Sequence, residues 1–140
     1  MSVKPSRREL DYIVILYELE AIPGTNKLVG PQIISKKLGV DPSTAVIMLK
    51  KLYRKGYVKY RRRRGYALTV KGLKVVEEVV WRHRILEVFY VEYLGLEVEE
   101  ACCLARETDL HTPVQVIERL SKYIGKPKCC PHGKPIPYPR

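Results

Sequence analysis

The sequence predicts a mainly α fold, an N-terminal winged helix-turn-helix followed by an all-helical domain, and three observations carry that prediction. Between Gly30 and Thr69 lie a short helix (Pro31 to Leu38), a Gly39-Val40-Asp41 turn, a helix opening on Pro42-Ser43-Thr44, and two β segments flanking Arg61-Arg62-Arg63-Arg64. Helix, tight turn, helix and basic hairpin in that order are the parts of a winged DNA-binding unit. From Val70 onward three helical stretches follow, closed by a proline-rich tail. Charge divides in nearly the same place: residues 1–82 carry 18 Lys and Arg against 7 Asp and Glu, whereas residues 83–140 carry 8 against 8.

The 140 residues, 46% of them hydrophobic, suffice for one ordinary domain or for a small DNA-binding domain with a helical appendage, and exclude a disordered chain. The net charge of +11 falls entirely on the part holding the helix-turn-helix, as a phosphate-facing surface requires. The basic N-terminus has no apolar run of signal-peptide character behind it, and no run approaches the ~20 residues of a transmembrane helix, so a cytoplasmic protein is expected. Four cysteines form two adjacent pairs, Cys102-Cys103 and Cys129-Cys130. Neighbouring cysteines seldom bridge each other, which argues against a secreted disulfide framework and leaves metal binding, thiol chemistry or burial.

Taken in order, Ser6 can cap a first helix over Arg7 to Glu20, with Glu9 completing a capping box. Leu10, Ile13, Val14 and Tyr17 give that helix an apolar face with Asp11 beside it, and Ile22-Pro23-Gly24-Thr25-Asn26 ends it. Pro31 suits the first position of the second helix, whose buried side is read as Ile33, Ile34 and Leu38. Asp41 and Pro42 start the third, which stops at Gly56 and turns Val46, Leu49, Leu52 and Tyr53 inward. Its exposed end presents Pro42, Ser43, Thr44, Ile47 and Lys50, where a recognition helix touches DNA. Strands Tyr57 to Tyr60 and Tyr66 to Thr69 form the wing, and the Arg61 to Arg64 tip suits phosphate or the minor groove. A long helix fits Val70 to about Leu94, a second Val98 to Glu107, and a third runs from Thr112-Pro113 to Ile124. Five prolines after Lys126 exclude further helix.

His83 and Glu87, four apart on the long helix, stand on one face and can share a divalent ion. Asp11 and the group Cys102, Cys103, Glu107, Asp109 and His111 add carboxylate, thiol and imidazole, enough for one or two transition-metal sites. The alternative reading is small buried cysteines and solvated acids. Cys129-Cys130-Pro131-His132 offers half a zinc site with no complementary half in sequence, and is read as a packed loop. No catalytic triad, phosphate-binding glycine loop or separated carboxylate pair can be assembled, so an enzyme is not expected.

Four stretches together give the chain a family resemblance: Asp11-Tyr12-Ile13 leading to Tyr17-Glu18-Leu19; Pro42-Ser43-Thr44 with Val46, leading to Gly56-Tyr57-Val58; Arg82-His83-Arg84-Ile85-Leu86-Glu87; and Cys130-Pro131-His132-Gly133-Lys134-Pro135-Ile136-Pro137. Over almost its whole length the chain resembles the metal-dependent repressors typified by the diphtheria toxin repressor and the manganese transport regulator. The first two stretches are shared by many winged helices, the last two are far more specific. The resemblance implies a winged DNA-binding domain over residues 1–71 and a helical metal-binding and dimerisation domain over 72–140. It also implies a homodimer that binds a palindromic operator when Mn²⁺ or Fe²⁺ is present, with Zn²⁺ or Co²⁺ able to substitute in vitro, and represses metal-uptake genes.

His83 and Glu87 match metal ligands of that family, and Asp11 falls where manganese-type members carry aspartate and iron-type members methionine. Three departures accompany the match. Val14 stands where manganese-type members have a second carboxylate. Glu100-Ala101-Cys102 is followed by Cys103-Leu104-Ala105-Arg106 where the family has Glu-His. The chain also stops soon after Pro137, so the further C-terminal domain of iron-type members is expected to be absent. The mechanism expected is a population shift, in which metal held by Asp11, His83 and Glu87 fixes the two wings for DNA. The alternatives are a metal-independent or thiol-responsive winged-helix protein and a non-specific DNA-coating protein.

Overall fold

The structure is a computed structural model that describes residues 4–20 and 28–139. In chain order its elements are α1 (Arg7–Glu20), α2 (Pro31–Leu38), α3 (Pro42–Arg54), β1 (Val58–Arg61), β2 (Gly65–Leu68), α4 (Val70–Glu92), α5 (Val98–Thr108) and α6 (Val114–Tyr123). This is the mainly α winged arrangement that the sequence predicts. The stretch Ile22 to Asn26, expected to end the first helix, lies outside the described residues. Residues up to Val76 and residues from Glu77 form two compact units.

In the first unit α1 opens on a reciprocal capping box: the Glu9 amide donates to Ser6 Oγ and the Ser6 amide to Glu9 Oε1, both at 3.1 Å. The buried face of α1 is Glu9, Leu10, Tyr12, Ile13 and Leu16, while Val14 and Tyr17, expected inside, are only partly buried. The face is turned because Glu9 belongs to it, its carboxylate held inside by Lys55 Nζ at 2.9 Å. Burial alone would raise the Glu9 pKa, but the Lys55 and Ser6 hydrogen bonds outweigh it and hold the carboxyl below its usual range.

Between α2 and α3 Gly39 adopts φ 67° and its amide returns to the Ser35 carbonyl, the left-handed stop that frees α3 to start at Pro42. Ile34 and Ser35 are the buried residues of α2, and Ile33 is half exposed. On α3 the buried stripe is Ala45, Leu49 and Leu52. Tyr53, expected inside, is 55% exposed, because it lies one residue around the helix from that stripe.

The wing is an antiparallel pair in register Val58↔Leu68 to Arg61↔Gly65. Val29 extends it, exchanging backbone hydrogen bonds with Tyr66 at 2.7 and 2.8 Å. That third segment explains Gly65: a Cβ there would stand 2.3 Å from the Val29 carbonyl oxygen. Thr69 leaves the strand to cap α4, accepting from the Gly72 amide at 3.1 Å and donating to the Gly56 carbonyl at 2.6 Å.

The core of the second unit is Trp81, Ile85, Leu86, Val88, Ala105, Ile117 and Ile136. Its tail is non-helical, as the prolines require, yet ordered as a small hairpin. Cys129 bridges Pro135, the Cys130 amide donates to the Lys134 carbonyl, and the Gly133 amide returns to the Cys130 carbonyl, both at 2.8 Å. Pro131 and Gly133 occupy the positions that such a β-turn favours. Arg84 on α4 donates to the Pro135 carbonyl, and buried Ile136 anchors the hairpin's end. Among the described residues no helix is long and apolar enough to cross a membrane.

Candidate metal centre and nucleic-acid interface

On the first unit, Pro42, Ser43, Thr44, Ile47 and Lys50 are all exposed along α3, Ile47 at 69% despite being apolar. Arg61, Arg62, Arg63 and Arg64 are exposed at the tip of the wing, with Arg63 at φ 65°. A groove between α3 and the wing is lined by Lys50, Tyr53, Tyr60, Arg63 and Arg64, among others. Tyr53 and Tyr60 are absent from the sequence-predicted interface. For Tyr53 the signal is present, since Thr44, Ile47, Lys50 and Tyr53 recur every three residues on one side of the helix.

The second unit brings donors from three places around one carboxylate. His83 and Glu87 face each other across one turn of α4, His83 Nε2 lying 3.3 Å from Glu87 Oε1. Cys102 of α5 places Sγ 3.6 Å from the same imidazole nitrogen. The tail hairpin brings His132, whose Nδ1 is 3.2 Å from Glu87 Oε2. The result is two donor triads sharing Glu87, His83–Glu87–Cys102 and Glu87–Cys130–His132, with the atoms of each triad within 4.8 Å of one another. Cys130-Pro131-His132, read from sequence as a packed loop, is brought by the tail hairpin against Glu87, some forty residues earlier on α4.

The expected ligands from the end of α5 divide. Asp109 is 1% exposed and its Oδ2 lies 3.1 Å from His83 Nδ1. A carboxylate only accepts, so this contact uses an N–H at Nδ1 and turns Nε2 toward Glu87 and Cys102. Asp109 thus orients the His83 ring, as a carboxylate behind a metal-binding imidazole does. Glu107 and His111 are exposed and belong to neither triad. Cys102 and Asp109 are seven residues apart and share a face, whereas Glu107 is turned roughly 140° away from Cys102. Asp11 is on α1 in the first unit, partly buried.

A divalent cation fits this cluster. Glu87 is 2% exposed, and its Oε2 is buried without a hydrogen bond of acceptable geometry, its contact being the His132 ring. A buried carboxylate oxygen left in that state needs positive charge. Burial first, then the nearby Glu87 carboxylate, pushes the Cys102 thiol up to about 11. The cluster thus disfavours a free thiolate at neutral pH, the reverse of what a peroxide-sensing cysteine needs.

The sequence matches two family models in tandem: the iron dependent repressor N-terminal DNA binding domain over residues 6–66, and the iron dependent repressor metal binding and dimerisation domain over residues 69–138. The chain belongs to the iron-dependent repressor family. Its fold and its DNA-binding and metal-binding character are those of the family, whose regulators are not enzymes. The chain is 33% identical over 129 residues to an uncharacterised HTH-type transcriptional regulator of Aeropyrum pernix, covering 92% of this chain and 71% of that one. It is 32% identical over 115 residues to the HTH-type transcriptional regulator MntR of Oceanobacillus iheyensis, covering 82% and 76%. Among solved structures, ScaR with bound Zn²⁺ superposes with a TM-score of 0.77 at 35% identity, over 96% of this chain and 60% of that one.

Proposed function

We propose that this family member is a homodimeric, cytoplasmic repressor that binds a palindromic operator of metal-uptake genes when a divalent metal occupies the centre around Glu87. The single observation that carries the reading is the buried Glu87 carboxylate, flanked by two imidazoles and two thiols on a helix that starts directly after the wing. When bound, the ion supplies the positive charge this cluster lacks; the family resemblance points to Mn²⁺ or Fe²⁺. Glu87 holds it through a carboxylate that has no competing hydrogen bond at Oε2. His83, oriented by Asp109, and Cys102 tie α4 to α5, while Cys130 and His132 tie α4 to the tail. Cross-linking these segments removes conformational freedom before DNA arrives, which is how a ligand without DNA contacts raises DNA affinity. On the DNA side, Ser43, Thr44 and Ile47 face bases, and Lys50 with Arg61 to Arg64 faces the backbone.

The test is fluorescence anisotropy of chelator-treated protein on its own promoter duplex and on an unrelated one, at fixed salt, with and without Mn²⁺, Fe²⁺, Co²⁺ or Zn²⁺. Affinity for the promoter alone is expected to rise with metal, and Glu87→Gln, which keeps the side-chain shape, is expected to remove the response. A Glu87→Gln variant with the wild-type metal response refutes the reading. Equal affinity for both duplexes supports a DNA-coating protein instead.

A further inference from the structure

The end of α3 that a helix-turn-helix presents to the major groove is chemically sparse in this chain. From Pro42 to Met48 the sequence reads Pro-Ser-Thr-Ala-Val-Ile-Met, without an amide, guanidinium, ammonium or carboxylate side chain. The bidentate hydrogen bonds that pick out guanine (from Arg or Lys) and adenine (from Asn or Gln) therefore have no source there. Ala45 is fully buried and Val46 and Met48 are partly buried, which leaves Pro42, Ser43, Thr44 and Ile47 exposed. The hydroxyls of Ser43 and Thr44 both donate and accept, so they pair with any base edge and discriminate little. Ile47 is different. It is 69% exposed and wholly apolar, and a branched aliphatic side chain held in the major groove has one complementary feature to meet, the C5-methyl group of thymine. A lone exposed isoleucine is common on protein surfaces. What singles this one out is its place on the DNA-facing side of the helix, three residues after Thr44 and three before Lys50, the first cation of α3.

We infer that Ile47 specifies thymine in each operator half-site by packing its side chain against the C5-methyl group. This rests on the sequence-specific DNA-binding reading above but not on metal gating, since the contact is the same whatever brings the helix to the groove. Burying one methyl group corresponds to about fourfold in affinity. The contact neutralises no phosphate, so it leaves the dependence of binding on salt untouched.

The experiment measures binding of the full-length protein, by fluorescence anisotropy at fixed salt, to its own promoter duplex and to versions in which single thymines are replaced by deoxyuridine. That replacement removes the methyl group and nothing else. The ion that gives the tightest promoter complex is present throughout, or none if no ion changes it. Wild type and Ile47→Ala are compared, with circular dichroism as the check on folding. Wild type is expected to lose about fourfold at one thymine in each half-site. Ile47→Ala is expected to bind the unmodified duplex at least about fourfold more weakly, to be indifferent to uracil at that same position, and to keep the wild-type slope of log Kd against log salt. Specific promoter binding by wild type that tolerates uracil at every position overturns the inference and leaves the DNA-binding reading standing. An Ile47→Ala protein that keeps the whole uracil penalty also overturns it, because the penalty then comes from duplex shape. Equal affinity for the promoter and an unrelated duplex overturns the sequence-specific reading and the inference with it.

Discussion

Asp109 supplies the sharpest test of how the metal centre is held. It touches His83 on the side away from Glu87 and Cys102, so its contribution passes through the imidazole. The 3.1 Å contact from His83 Nδ1 to a carboxylate that is 1% exposed fixes the ring's rotation. In Asp109→Asn the amide oxygen can still accept from Nδ1–H, so the orientation survives and the charge that makes the ring a stronger donor is lost. Asp109→Leu removes both. Groups behind metal-binding imidazoles are worth roughly 10–100-fold in metal affinity, or about 1.4–2.8 kcal/mol. The asparagine variant is therefore expected near the lower figure and the leucine variant near the upper. Chelator competition with Zn²⁺ on metal-free protein measures both, and circular dichroism before metal addition separates lost affinity from lost fold. Wild-type affinity in a folded Asp109→Leu protein refutes the assignment, as does a larger loss in the asparagine variant than in the leucine one.

Three further outcomes follow from other parts of the molecule. Gly72 lies near the start of α4, where alanine is normally preferred by about 1 kcal/mol, but a Cβ there would stand 2.1 Å from the Tyr57 carbonyl oxygen. Gly72→Ala is therefore expected to destabilise by a net of about 1–2 kcal/mol, read as a Tm lower by several degrees in thermal unfolding. Arg63→Ala with Arg64→Ala should flatten the dependence of log Kd on log salt by up to about 1.8, near 0.9 for each phosphate no longer neutralised, with little change in the preference between promoter and unrelated duplex. The Glu9 carboxyl, held below its usual range in the folded state, binds fewer protons there than in the unfolded chain over the acidic window. Its contribution is thus complete above the unfolded pKa and lost as pH falls through the folded one. Lys55→Met should weaken that acid dependence in urea unfolding followed across the acidic range, and an unchanged profile would show that the pair contributes nothing.

The winged unit is legible in the sequence because its signals are local: Pro31, Gly39, Pro42, Gly56 and Gly65 punctuate it within a few residues of the structure they determine. Periodicity misleads there where burial is decided by a neighbour it does not show. Glu9 lies inside because Lys55, forty-six residues on, pairs with it, and that moves the buried face of α1 toward Tyr12 and Leu16. Gly72 in a helix has no local reason at all; its reason is the Tyr57 carbonyl.

The metal centre shows the same division more sharply. His83 and Glu87 can be paired from spacing because helical geometry alone puts them together. Glu107 and His111 look equivalent to Cys102 and Asp109 in sequence, because residue chemistry carries no angle; seven residues along α5 keep a side chain on one face and five do not. Cys130 and His132 carry part of the family likeness, yet no spacing rule connects them to α4 or places them among the ligands. What connects them is a fold-level event. Arg84 reaches the Pro135 carbonyl from α4, Ile136 enters the core, and the β-turn between those anchors and Cys130 carries the His132 imidazole to 3.2 Å from Glu87 Oε2. Arg84 lies three residues before Glu87 on the same helix, so the residue that fixes the hairpin and the residue that receives its donors move together. Metal affinity at the Cys130–His132 half is therefore expected to depend on a hydrogen bond made by neither of those residues. Arg84→Gln is expected to lower Zn²⁺ affinity in chelator competition while circular dichroism of the metal-free protein stays unchanged, and wild-type affinity in a folded Arg84→Gln protein refutes the dependence.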